Sequence, residues 1–366
     1  MSARRLVVAI PVKDESQRLP ACLSALAAQG FGQNLTLLVL VNNSTDNSAA
    51  IARDFAATAS CRVIVEDVVL PEGTANAGGA RRLAMHMGCE LAGPGGILLT
   101  TDADGRPALN WLRTNLRAIA KGADAVAGRA IIDPIEEALI PPALLEADAR
   151  ECKYAELLDE VVAGIDPDPT DPWPRHDEHS GASIAVTVKA FRLAGGIPEL
   201  ALGEDRAFFR NLRRIDARIR HDPNVQVIVS GRTEGRAKGG MADTIRRRLV
   251  CPDVFLDDRL EAVQDAVLRA RLRRQARLLW AEEGEDFGAL FELARGLALP
   301  PSYLRERLAC GIFGAAWDDI ETASPALRRR PVPTASVGQE IAAASALLAE
   351  AGSKKVRGIR VLGMSA

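Results

Sequence analysis

The chain has 366 residues, 48% hydrophobic and 26% charged, with 30 Gly and 20 Pro. At ~150 residues per domain this allows two domains, or one large domain with an extension, and the half-apolar, mixed-charge composition excludes wholesale disorder. With 46 Lys+Arg against 48 Asp+Glu the net charge is −2, so no bulk charge points to nucleic acid or to a cationic partner.

No run approaches the ~18 uninterrupted apolar residues of a membrane span. Arg4-Arg5 followed by Leu6 to Val12 has the outline of a signal peptide. Its apolar core is short, however, meets Lys13-Asp14-Glu15 and lacks a small-residue cleavage site, so it reads as a first strand. The six cysteines are scattered singly with no CxxC pair, the pattern of reduced thiols. The expectation is a soluble, cytoplasmic protein.

Short apolar runs of buried-strand length occur at Leu6 to Ile10, Leu35 to Val41, Arg62 to Val69, Ile97 to Leu99 and Ala125 to Ile132. Between them Leu19 to Gln29, Asp46 to Phe55, Ala80 to Leu91 and Leu109 to Ala120 carry apolar residues at helical spacing. This alternation predicts βαβ units and a mainly parallel sheet flanked by helices, an α/β class in which ligands collect beyond the carboxyl ends of the strands. Residues 133 to 163 are acidic and favour helix, and Ile165 to Arg175 is too rich in Pro and Asp for one regular element. Strands are expected again at Ser183 to Val188 and Val225 to Ser230, with a helix at Arg206 to Arg214 between them. A basic, Gly-rich loop, Gly231 to Gly240, follows, and the rest is expected to be mostly helical and Arg-rich.

The strand exits are polar. Asp102-Ala103-Asp104 follows the fourth strand, and two carboxylates at alternate positions can share one Mg2+ or Mn2+ ion with a phosphate; the alternative is an Asx-turn or helix cap. Glu204-Asp205 opens a helix, as a general base and its neighbour or simply as acids favoured by the macrodipole. Asn42 to Asp46 reads as a helix cap or a nucleoside rest. Asn76 to Arg82 joins a glycine pair to two arginines at a helix start, suited to an anion, yet is neither GxGxxG nor a Walker loop. The Arg232 to Gly240 loop is either a solvated linker or a flap carrying positive charge to a diphosphate.

Taken in order, Val7 to Glu15, Val41 to Ser48, Asn76 to Arg82, Thr101 to Asp104, Gly195-Gly196-Ile197-Pro198 and Gly203-Glu204-Asp205 strongly resemble the family 2 glycosyltransferases of the GT-A fold, over roughly residues 5 to 240. The resemblance implies a GT-A domain at 1–240, with a nucleotide-sugar half at about 1–132 and an acceptor half at about 133–240, and a mostly helical region at 241–366. It implies inverting, metal-assisted transfer of a hexosyl group from a nucleotide diphosphate sugar, usually UDP-linked, to an acceptor hydroxyl. Carried over by position, Pro11, Lys13 and Glu15 would line the nucleoside pocket with Asn43 and Asp46, followed by Asn76, Gly78 and Arg81 near the base or diphosphate. Asp102 would sit by the ribose and metal, and Asp104 would bind the Mg2+ or Mn2+. Asp205 would be the general base with Glu204 beside it, Gly181 and Ser183 would face donor sugar and acceptor, and Arg232 or Arg236 would neutralise the leaving group.

The chain departs from the family pattern in carrying Asn42-Asn43 where many relatives have acids, and in having no histidine directly after the Val225 to Ser230 strand. It also lacks the QxxRW motif of processive relatives, which points to single addition. A haloacid-dehalogenase-type phosphatase would place its Asp-x-Asp on the first strand, with Thr or Val where Arg106 stands. A nucleotidyltransferase would carry a glycine-rich signature after strand one. A catalytically silent nucleotide-binding or scaffold protein would have no need of both Asp104 and Asp205. Ala242 to Trp280 is rich in Arg and apolar positions, either a solvated helical face or a surface for a partner, a homodimer mate or peripheral membrane contact.

Overall fold

A computed structural model describes residues 4–233, 235, 240–282 and 286–362, with 352–362 in backbone only. The chain forms two compact units, Met1–Ile140 with Glu178–Val250, and Pro141–Asp177 with Cys251–Ala366.

The first unit is built on one eight-stranded sheet: β1 (Leu6–Val12), β2 (Leu35–Asn42), β3 (Arg62–Val68), β4 (Ile97–Thr100), β5 (Arg106–Pro107), β6 (Ala125–Ile132), β7 (Ile184–Thr187) and β8 (Ile219–Val229), in the order β3-β2-β1-β4-β7-β6-β8-β5. β1 and β2 are nearly continuous Val, Leu and Ile because the parallel strands β3-β2-β1-β4 are covered on both faces. Their period-2 alternation divides the core. Val8 and Ile10 pack under α1 (Leu19–Ala27), α2 (Ser48–Thr58) and α4 (Trp111–Ala120). Val7 and Ala9 pack under α3 (Ala77–Ala92), with α7 (Val188–Leu193) and α8 (Glu204–Arg214) on the same face. The unit also contains the short α5 (Pro134–Glu137) and α9 (Met241–Val250). The α/β class, the mainly parallel sheet and the helical C-terminal region are as the sequence implied.

β7 runs antiparallel to both β4 and β6, and this reversal positions the site. Thr100 at the end of β4 pairs with Ile184 at the start of β7, so the 180–183 turn sits at the same sheet edge as Asp102. β8 runs parallel to β6, so it too exits at that edge. β8 begins six residues before the expected Val225. Its first half, Arg220-His221-Asp222-Pro223-Asn224, is polar and has no strand signature, but it is held against β6 across a register shift between Ala127 and Arg129. The two-residue β5 has no sequence signal and exists only by pairing with β8.

The second unit is helical: α6 (Pro142–Ile165), α10 (Val263–Ala281), α11 (Phe287–Leu297), α12 (Pro301–Leu308), α13 (Phe313–Ala323) and α14 (Val337–Leu362). Its packing departs from the expected segmentation. Residues 141–177, expected within the acceptor half, join the C-terminal helices, because Tyr154, Leu157, Leu158 and Val161 of α6 share a core with Leu256, Leu260, Val263, Ala266 and Val337. In turn α9, expected beyond the boundary at 240, falls within the first unit. Among the described residues no helix is long and apolar enough to cross a membrane.

Candidate active site

The exits of β1 and β2 are laced together. Asp14 and Asn43 both have positive φ (51° and 47°), which Asp and Asn tolerate better than most residues. These turns aim successive backbone N–H groups at the neighbouring exit. Asp14 N–H donates to Ser44 Oγ (3.1 Å), Glu15 N–H to Ser48 Oγ (2.9 Å) and Ser16 N–H to Asp46 Oδ2 (2.9 Å). In return Thr45 N–H donates to Asp14 Oδ1 (2.7 Å). Burial disfavours the Asp46 carboxylate, but hydrogen bonds from Ser48 and Ser16 outweigh it and hold its pKa at about 2. Asp14, Glu15, Ser16, Gln17, Arg18, Thr45, Asp46 and Arg232 line a cleft of about 250 Å³.

Beside this cleft lies a carboxylate cluster bridged by a guanidinium. Arg232 grips Glu15 in a two-pronged pair, with Nη1 donating to Oε2 at 3.0 Å and Nη2 to Oε1, and the same Nη2 lies 3.1 Å from Asp104 Oδ2. Burial pushes the Asp104 carboxyl up to about 6, with the charge of Asp102 adding to the effect and Arg232 opposing it.

The second centre is Arg81, a buried guanidinium on α3. Nε donates to Glu204 Oε1 (2.9 Å), Nη2 to Asp102 Oδ1 (2.7 Å), and Nη1 to the Gly181 carbonyl (2.8 Å) and Thr100 Oγ1 (3.3 Å). Burial works against this cation, but Asp102 and Glu204 more than compensate, and its pKa is raised. Gly181 has a steric reason to be glycine, since a Cβ there would lie 2.5 Å from the Arg81 guanidinium. The Gly181 N–H donates to Asp205 Oδ2 (2.8 Å). Asp205 stands at the start of α8, where Gly203 supplies the left-handed turn (φ 74°) that admits the chain to the helix. One arginine therefore joins the exit of β4, the 180–183 turn and the α8 start.

The structure thus brings Glu15, Asp46, Arg232, Asp102, Asp104, Arg81, Gly181, Glu204 and Asp205 to one sheet edge. Half-buried Pro11 and Lys13 flank the cleft in sequence but are not among its lining residues. Several expected contacts give way to local structure. Ser183 is 1% exposed and its Oγ accepts from Trp111 Nε1 (2.8 Å), so it does not face a sugar. The Asn43 amide exchanges two hydrogen bonds with Leu70, tying β2 to β3. Asn76 caps α3 by accepting from Gly79 N–H (2.9 Å). A Cβ on Gly78 would lie 2.0 Å from the Leu200 carbonyl oxygen, so this glycine serves close packing. Arg81 holds carboxylates where contact with the base or diphosphate was expected. Arg236 lies outside the described residues.

Sequence reasoning missed Arg18 and Glu136. Glu136 accepts from Arg18 Nη1 (2.7 Å), Ser230 Oγ (3.0 Å) and Gly231 N–H (2.6 Å), fixing the end of β8. It missed as well the His179–His221 pair, whose Nε2 atoms lie 3.0 Å apart. No motif marks either, since the partners are 42 to 118 residues apart.

The family resemblance implies a divalent cation. Among the described residues no group of three or more His, Cys, Asp or Glu forms a ready cage. Asp102 and Asp104 nevertheless fit such an ion: they are hard oxygen donors, Asp104 is a poorly solvated carboxylate that a cation would relieve, and Mg2+ or Mn2+ commonly completes its shell from phosphate and water.

The model of the family described as glycosyl transferase family 2 matches residues 7–181. No curated protein matches the chain. Similar solved structures include the mannosyltransferase PcManGT from Pyrobaculum calidifontis in complex with GDP-Man and Mn2+, at 16% identity and a TM-score of 0.43, covering 96% of this chain and 80% of that one. S. aureus TarS 1–349 in complex with UDP-GlcNAc is similar at 16% identity and a TM-score of 0.46, covering 87% of this chain and 91% of that one.

Proposed function

We propose, from the premise that the chain is a glycosyltransferase belonging to glycosyl transferase family 2 through residues 7–181, that it performs single, inverting transfer of a sugar from a nucleotide diphosphate donor to an acceptor hydroxyl. The observation that carries this reading is the Arg81 bridge. It holds a donor-side carboxylate, Asp102, and an acceptor-side pair, Glu204 with Asp205, in one rigid constellation at the sheet edge where ligands of α/β folds bind.

The cleft lined by Glu15, Asp46 and Arg232 receives the nucleoside, with uridine as the base the family resemblance implies. Asp102 and Asp104 would hold a divalent cation, which would supply positive charge to the leaving diphosphate. Asp205 takes the acceptor proton as the acceptor oxygen bonds to the anomeric carbon and the bond from that carbon to the diphosphate oxygen breaks. Its Oδ2 is oriented by the Gly181 N–H, while Glu204, neutralised by Arg81, keeps the α8 start in place. Arg232 lies close enough to the Asp104 end to neutralise the leaving group. The single scattering of the six cysteines along the sequence, with no CxxC pair, is the basis for reading the setting as reducing and cytoplasmic.

The test is calorimetric titration of UDP, GDP, CDP and dTDP with Mn2+, Mg2+ or EDTA, followed by turnover of the matching sugar donor. One nucleotide is expected to bind in a metal-dependent way, and Asp104→Ala to weaken it. Asp205→Asn is expected to retain donor binding and lose about 10³-fold in kcat. Absence of binding to all four by folded protein, or full turnover by Asp205→Asn, overturns the reading.

A further inference from the structure

Arg232 is positioned by the fold and not left to a free loop. Its stem, Ser230-Gly231, is anchored through both its hydroxyl and its backbone N–H to Glu136, which Arg18 holds in turn. Gly231 is packed so closely that a Cβ would lie 2.8 Å from Ile132 and 3.2 Å from Glu136. From this stem the guanidinium reaches Glu15 and Asp104, and the side chains of all three are largely buried, at 19%, 7% and 19% exposure. Arginine keeps its charge under all ordinary conditions, so it cannot vacate such a position by losing a proton; it has to move.

We propose that Arg232 is the resident cation of Asp104 while the nucleotide is absent, and that a divalent ion reaches Asp104 only together with a nucleotide diphosphate, which gives both cations a counter-charge. This rests on the reading of Asp104 as a cation ligand. The physical reason is charge crowding. A divalent ion sits about 2.1 Å from its carboxylate oxygen, so at Asp104 Oδ2 it would face a guanidinium nitrogen already 3.1 Å from that oxygen, where little water screens them. Two or more phosphate charges arriving with the ion remove the conflict, and Glu15 still offers Arg232 its two-pronged partner. The site would then be protected from loading with metal alone.

Mn2+ binding to the nucleotide-free full chain, read from loss of the free-ion electron paramagnetic resonance signal, tests this without turnover. Arg232→Gln is expected to bind Mn2+ about tenfold more tightly than the unaltered protein, and the gain to vanish in the Arg232→Gln/Asp104→Asn double variant. With UDP present, and with the Mn2+ that UDP holds in protein-free solution subtracted, the unaltered protein is expected to bind Mn2+ at least tenfold more tightly than without it. If Arg232→Gln binds no better while Asp104→Asn abolishes the UDP-dependent binding, the cation reading stands and the Arg232 proposal falls. A gain that survives in the double variant overturns both. Should Arg232→Gln fail to fold, the unaltered protein still decides: equal Mn2+ affinity with and without UDP overturns the proposal.

Discussion

Two arginine–carboxylate networks, one in each unit, use the same chemistry to different ends. In the first unit Arg81 grips Asp102 and Glu204, and its neighbours Asp102 and Asp205 remain partly open at an edge where several strands end. In the second unit buried Asp166, at the end of α6, is gripped by Arg273 and Arg277, while Arg269 holds Glu261, Glu321 and the Leu327 carbonyl. These groups lie along helix flanks, and they close the unit upon itself. The lesson concerns composition. The Arg-rich stretch Ala242 to Trp280 reads either as a solvated helical face or as a surface for partners or membranes, and within it Arg269, Arg273, Arg274 and Arg277 are engaged by acids or carbonyls of their own unit. An ion network acquires ligand-facing chemistry from its place in the topology.

Three substitutions probe that contrast, beginning with the largest expected effect. Arg81→Met leaves buried Glu204 without its cation, and should lower stability by about 3–5 kcal/mol in urea unfolding while reducing kcat far more than it raises donor KM. A variant that loses stability but keeps full kcat would make Arg81 as purely structural as Arg269. Asp166→Asn should lower stability by about 1–2 kcal/mol, because Arg273 and Arg277 are only half-buried and can turn to water, and should leave nucleotide affinity in calorimetry unchanged. A shift in that affinity would break the division between the two networks.

The smallest effect belongs to Asp46, whose half-open carboxylate limits its contribution to about 1 kcal/mol at neutral pH. Its folded pKa, about 2, lies below the ordinary 3.8. The folded state therefore binds its proton less readily than the unfolded chain, and the stabilisation is full above about pH 4 and lost as pH falls towards 2. The melting-temperature gap between the unaltered protein and Asp46→Asn should accordingly close over that window. A gap that persists at pH 2 would show that Asp46 acts through packing.

Much of the fold was legible because burial on both faces of a parallel sheet leaves unbroken apolar runs, as at Leu6 to Ile10 and Leu35 to Val41. β5 and the first half of β8 were illegible for the complementary reason, since they are polar and held by cross-strand pairing. The clustering of the candidate residues was legible where acids stand at a strand or helix end, since Asp102, Asp104, Glu204 and Asp205 do gather at one sheet edge. The site was misread where a residue's partner lies far along the chain. Gly78 looks like an anion cradle until Leu200 is seen against it, and Ser183 looks like a sugar contact until Trp111 takes its hydroxyl.

The sequence by itself therefore determined the alternation of strands and helices, the polar strand exits and the order of motifs that marks the family, because these follow from local periodicity and residue chemistry. Only the tertiary structure decided that Arg81 joins the Asp102 and Asp205 ends of the site, that Arg232 rests on Asp104, and that residues 141–177 pack with the C-terminal helices. Those outcomes depend on the antiparallel insertion of β7 and on side-chain pairings across as many as 217 residues, which no local pattern encodes.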